Sequence, residues 1–153
     1  LGNLISFWTP DDDAIHKFGA LALAADGSLW LADEQPARLL RLRFDGETWQ
    51  QMGALGGLVS GPPKALAARA DGLLAVAAGD QVLILDPERT DPIISTWSAP
   101  NDGSPGPFRQ PAALAFGPDG DLAVGESGNQ RVSFVHRPAI WRLWLPMLAA
   151  SVP

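Results

Sequence analysis

The chain has 153 residues, 46% hydrophobic and 18% charged, with a formal net charge of −6; this is the size of one domain with enough apolar residues to bury a core. Its acidic balance, with a pI near 4.7, supplies no basic stripe to replace phosphate counterions and so argues against a nucleic-acid partner. Cysteine is absent, which removes thiol catalysis, disulfides and cysteine-type zinc sites but leaves the compartment open.

In chain order, the first expected element is a short strand within residues 1–10, "LISFWTP" around Trp8. The chain opens at Leu1 without a charged n-region and apolar h-region, so it reads as a processed product or a piece of something longer. An acidic connection, "TPDDDAIHKF", then leads into the first of three copies of one segment. Aligning the Asp-Gly pairs at Asp26, Asp71 and Asp119 lays "ALALAADGSLWLADEQPARLLRLRFDG" (20–46) over "AALAFGPDGDLAVGESGNQRVSFVH" (112–136) without a gap. The middle copy, "ALAARADGLLAVAAGDQVLILD" (65–86), is two residues shorter after its second apolar run.

Each copy predicts the same strands. A short alternating run (Leu21, Leu23; Leu66, Ala68; Leu114, Phe116) reaches the Asp-Gly turn, where Gly supplies the positive φ that a hairpin needs. A second alternating run, a polar loop and a third, more branched run follow. A fourth run carries tryptophan, at Trp49, Trp97 and Trp141 with Trp144. The Asp-Gly pairs are 45 and 48 residues apart, the spacing of four-stranded propeller blades. The expected fold is therefore an all-β propeller with three consecutive four-stranded blades, at 11–60, 61–106 and 107–146. Before them, residues 1–10 would be the orphan outer strand of a preceding blade, and residues 147–153 form a tail. A β-sandwich with regularly spaced hairpins is the alternative. Small residues (Ala20, Ala22, Ala65, Ala67) opposite bulky ones (Leu21, Leu23, Leu66) suit stacked blades better, because a sheet between two neighbours needs both faces apolar. The most apolar stretch, 139–150, contains Arg142 and Pro146 and is too short for a transmembrane helix.

The stretch "SAPNDGSPGPFRQPAALAFGPDGDLAVGESGNQRVSFV" (98–135) resembles an NHL repeat, through Gly103, Gly106, Phe108, Pro111, Asp119, Gly120, Glu126, Asn129, Arg131 and Val132. Glu126 stands where the family usually has Asp, which Asp33 supplies in the first copy. The segment "DGSLWLAD" is similar also to related six-bladed propellers, the streptogramin lyases and gluconolactonase-like lactonases. Three blades do not close a ring, since propellers typically have about 4–8. With the orphan strand before the first blade, the expectation is the C-terminal part of a larger, six-bladed propeller, the alternative being two half-propellers that close as a dimer. The resemblance also implies a bacterial exported or cell-surface protein.

Two acid–arginine pairs flank the loop between the second and third runs: Asp33 with Arg38, and Glu126 with Arg131, the latter beside Asn129. The middle copy has Ala78 and Gln81 there, so acid and arginine are lost together. That is how a structural clasp behaves, and it is not how a site needing an acid behaves. Asp11, Asp12, Asp13 and His16 are the candidate ligand-binding group, since a carboxylate near a histidine can make a general base. The same run can equally be a solvated acidic turn. His16 and His136 lack a second histidine at metal spacing, so no zinc site is expected; Ca²⁺ on the aspartates is conceivable, although no EF-hand spacing exists. No nucleophile elbow, P-loop or dinucleotide fingerprint occurs. The Gly/Pro-rich connections 51–63 and 98–110 are the expected ligand-facing loops.

The function expected is a non-enzymatic scaffold binding a protein or a small ligand at a propeller face, without a cofactor. The alternative is a lyase or lactonase-like enzyme with its site at the central channel, partly in missing blades. An enzyme of that kind should gather ionisable residues at the channel mouth.

Overall fold

The computed structural model describes residues 7–11, 16–58, 61–100 and 106–136. All elements among them are strands. β1 (Phe18–Leu23), β2 (Leu29–Glu34), β3 (Ala37–Phe44) and β4 (Trp49–Gly56) form one antiparallel sheet in sequence order. β5 (Pro63–Ala68), β6 (Leu74–Ala78), β7 (Gln81–Leu85) and β8 (Ile93–Trp97) form a second sheet in the same order. β9 (Pro111–Phe116), β10 (Leu122–Glu126) and β11 (Arg131–Val135) form a third. Its expected fourth strand, around Trp141 and Trp144, lies outside the described residues, as do Leu1–Ser6 of the expected leading strand and the tail; Phe7–Pro10 are not in a strand.

The three first hairpins are built alike. Gly27, Gly72 and Gly120 have φ of 81°, 93° and 83°. Their N–H groups donate to the carbonyls of Ala24, Arg69 and Gly117, each at 3.0 Å. Ala24, Arg69 and Gly117 in turn donate to Ser28, Leu73 and Asp121, at 2.8 Å in all three. This is a three-residue hairpin closed by a left-handed residue, which is where a side chain would strain and glycine does not.

β5 neighbours both β1 and β9, and these three first strands mark the inner edge of the stack, with the later strands of each sheet fanning outwards. Strand alternation gives every sheet two apolar faces. Ala22, Ala24, Trp30, Ala32 and Leu39 of the first sheet pack on Leu66, Leu74, Val76, Leu83 and Leu85 of the second. The opposite face of the second sheet, with Ala67, Ala75, Val82 and Ile84, packs on Phe108, Leu122, Val124 and Val135. Both joints therefore use the same kind of face on each side, with an alanine-rich surface of one blade against the branched surface of the next.

One expected loop is half strand. The connection at 51–63 is occupied by β4 as far as Gly56, paired with β3 across a bulge between Arg41 and Leu42. Leu55 pairs with Leu39 and packs against the core, and this apolar anchor outweighs the two glycines of the segment.

Candidate functional site

The turns between β2 and β3, β6 and β7, and β10 and β11 share one rim with the segments leading into β1, β5 and β9. The Asp-Gly turns occupy the opposite rim. On the first rim, called upper here, the leads of the first and third blades are tied to the end of the second strand by the backbone. Glu34 N–H donates to Lys17 O at 2.7 Å in the first blade, and Ser127 N–H to Gln110 O at 3.1 Å in the third.

Asp33 and Arg38 are register partners across β2 and β3, and Glu126 and Arg131 across β10 and β11. Both acids are buried, at 0% and 2% exposure, so these are not the solvent-screened pairs that hairpin mouths usually carry. Glu126 accepts from Arg131 Nε at 2.7 Å, Ser133 Oγ at 2.5 Å, Asn129 Nδ2 at 2.5 Å and Arg109 N–H at 3.0 Å. Burial alone would raise its pKa; Arg131, Ser133, Asn129 and the Arg109 amide outweigh that and hold it at about 2. Asn129 also donates to Pro107 O at 3.0 Å, so the acid, the turn and the lead form one knot.

Asp33 is surrounded in the same way but with a different partner. It accepts from Lys17 N–H at 3.2 Å, Gln35 N–H at 3.1 Å and Arg38 Nε at 3.3 Å. Its Oδ2 also lies 2.7 Å from His16 Nδ1. An ionised carboxylate only accepts, so Nδ1 carries the hydrogen in this contact. Arg38 Nη2, 3.4 Å from the same nitrogen and itself only a donor, adds nearby charge. The His16 ring stacks on Phe18, with centroids 5.5 Å apart. His16 is thus brought to Asp33 and Arg38. Asp11 is exposed, while Asp12 and Asp13 lie outside the described residues. Among the described residues, no group of three His, Cys, Asp or Glu side chains could hold a metal ion, and no helix is long and apolar enough to cross a membrane.

Sequence reasoning missed a second cluster beside the first. Glu34 follows Asp33 and points to the opposite face, toward the second blade. Its Oε2 accepts from Lys64 Nζ at 2.5 Å and lies 3.0 Å from Lys17 Nζ. The Glu34 side chain is 9% exposed, whereas those of Lys17 and Lys64 are 63% and 44% exposed. The hydrogen bonds from Lys64 and then Lys17 lower the Glu34 pKa. Gly19 makes room for the carboxylate: a Cβ there would come within 2.7 Å of Glu34 Oε1 and 2.9 Å of Pro63 O. The signal available in the sequence was scarcity, since Lys17 and Lys64 are its only two lysines.

Next to Lys64 a cleft of about 500 Å³ opens between the second and third blades. Its walls include Pro62, Gly79, Asp80, Gln110 and Pro111. Gln110 has φ of 48°, a left-handed conformation unfavourable for a residue with a Cβ. Asp80 Oδ1, accepting from Gln110 N–H at 2.8 Å, holds it there. On the lower rim the charges close on each other: Arg41 lies over Trp30, 5.4 Å from the ring centroid, and donates to Asp26 at 2.8 Å and Glu88 at 2.7 Å.

No protein-family model matches the chain, and no curated protein sequence does. Its architecture is shared with solved structures. One is selenomethionine-substituted virginiamycin B lyase from Staphylococcus aureus, 17% identical, with a TM-score of 0.50 over 76% of this chain. This chain spans 40% of that one. The likeness shows a β-propeller fold, of which the present chain is a part.

Proposed function

We propose that the chain is part of an NHL-like propeller that binds a ligand or protein on its upper rim, acting as a scaffold and without a cofactor. The observation that carries this reading is the convergence of Lys17, Glu34 and Lys64 from two blades at the inner edge, beside the 500 Å³ cleft. Recessed sites with a few converging polar groups are where small ligands are held. Further blades, in the same protein or a second copy, complete the ring in this reading. Leu21 and Leu23, 64% and 67% exposed, lie on the face equivalent to the one the second blade buries. An exported or cell-surface location belongs to the same reading through the NHL resemblance.

A fragment screen followed by hydrogen-exchange mapping tests it. The expected hits protect amides at 61–64, 79–81 and 107–112. Hits confined to the Asp-Gly turns of the lower rim would overturn the reading.

One contact favours the enzyme alternative. A histidine oriented by a buried aspartate, as His16 is by Asp33, is an arrangement that general bases use. Turnover of a panel of lactones, abolished by His16→Gln in a folded protein, would replace the scaffold reading with that one.

A further inference from the structure

We infer that Lys17 and Lys64 form a binding site for the anionic group of a small organic ligand, a carboxylate or a phosphate monoester, whose uncharged body lies in the adjoining cleft. This deepens the reading of the upper rim and rests on it. Three observations lead there. The chain carries a formal charge of −6 and only two lysines, yet both ammonium groups converge on one oxygen of one carboxylate. They come from different blades, Lys17 from the segment before β1 and Lys64 from β5. Glu34 is the recessed member and the lysines are the solvent-facing ones. Each ammonium has three donors and uses one on Glu34, so donors remain on both for an oxygen arriving from solvent. The cluster has a net charge of +1, which leaves it attractive to an anion after its internal pairing.

The pocket in Gly19's place matters for the same reason. An alanine at position 19 would collide with the Glu34 carboxylate and with backbone, so the recess holding the anchor is built into the strand. From Lys64 the wall continues into the cleft, where Asp80 Oδ1 is engaged by the Gln110 amide and Ser127 Oγ donates to Gln110 O at 3.0 Å. A second anion would meet Asp80 there, whereas hydroxyl or amide groups would find acceptors. The ligand expected is therefore charged at one end.

The test uses protein labelled with ¹³C only at lysine, which gives one ε-methylene environment for each of the two residues. Inorganic phosphate and butyrate, a monocarboxylate, are titrated separately at ionic strength held constant with chloride. The expected result is that both lysine signals shift together along one saturable curve, with Kd on the order of 1 mM for a fragment of this size. The probe that saturates tells phosphate from carboxylate. Lys17→Gln and Lys64→Gln should each weaken binding about tenfold or more. Glu34→Gln, which removes the internal competitor but keeps an acceptor, should strengthen it. Non-saturating shifts, or an unchanged curve for the remaining lysine in either single variant, would overturn the proposal and leave the cluster as an ion-pair tie between blades. That failure is separable from failure of the scaffold reading, because uncharged fragments could still occupy the cleft.

Discussion

Glu126 and Arg131 face each other across the β10–β11 hairpin, and the carboxylate that Arg131 Nε reaches at 2.7 Å is almost wholly out of water. A buried acid with four donors is a different object from a surface ion pair. Removing one member strands the other's charge, so single substitutions should be severe and strongly coupled. Glu126→Ala is expected to lose about 3 kcal/mol or more, and the double variant with Arg131→Ala less than the sum of the two singles. Urea denaturation of the four proteins measures this. Additive losses would mean that the hairpin does not depend on the pair.

The same carboxylate sets an acid limit. Its pKa falls from 4.5 to about 2 on folding, so the folded state binds this proton less readily than the unfolded state does. The stabilisation is complete above pH 4.5 and disappears as pH falls through about 2. A shift of that size corresponds to at most about 3 kcal/mol. Glu126→Gln should be less stable at neutral pH but flatter across that window. Denaturant midpoints taken from pH 6 to pH 2 would reveal a parallel decline if other carboxylates govern acid unfolding.

Gly19→Ala should destabilise the first blade by about 1–3 kcal/mol, because the new methyl meets the Pro63 carbonyl as well as a movable side chain. It should also displace Glu34 and separate the two lysine signals from each other. A stable variant with unchanged lysine spectra would show that the recess is looser than its geometry.

Val124 and Val132 lie on paired strands but on opposite faces of the third sheet, 0% and 60% exposed. Val124→Ala should lose about 2 kcal/mol and Val132→Ala less than about 0.5 kcal/mol. Thermal unfolding compares them directly. Equal losses would indicate that the outer face of the third blade is covered in solution.

The blades were legible because their information is local. Alternation such as Leu29, Leu31 and Leu74, Val76, and the glycine of each Asp-Gly turn, act over a few residues and repeat at blade spacing. The opposed acid and arginine were legible for the same reason, being five residues apart in both copies. The partnership of His16 with Asp33 was not, because it depends on the register shift between Phe18 and Ala20 that folds the lead back over the end of β2. Reading along the chain, His16 pairs most naturally with the aspartates just before it. The lysine cluster was less legible still. Glu34 looks like the second of two solvated acids until strand alternation sends Asp33 and Glu34 to opposite faces, and Lys64 arrives from another sheet.

Having its two lysines seated on one glutamate gives the molecule an unusual relationship to proteases. An enzyme that cuts only after lysine has two sites in the entire sequence, at Lys17 and Lys64. Lys64 lies in β5, so the inner end of the second blade must detach before the chain there can enter a protease cleft. In the native protein, cleavage after Lys64 therefore becomes a clock for the opening of one small region. Any molecule that settles between the two side chains would slow that clock without being altered itself.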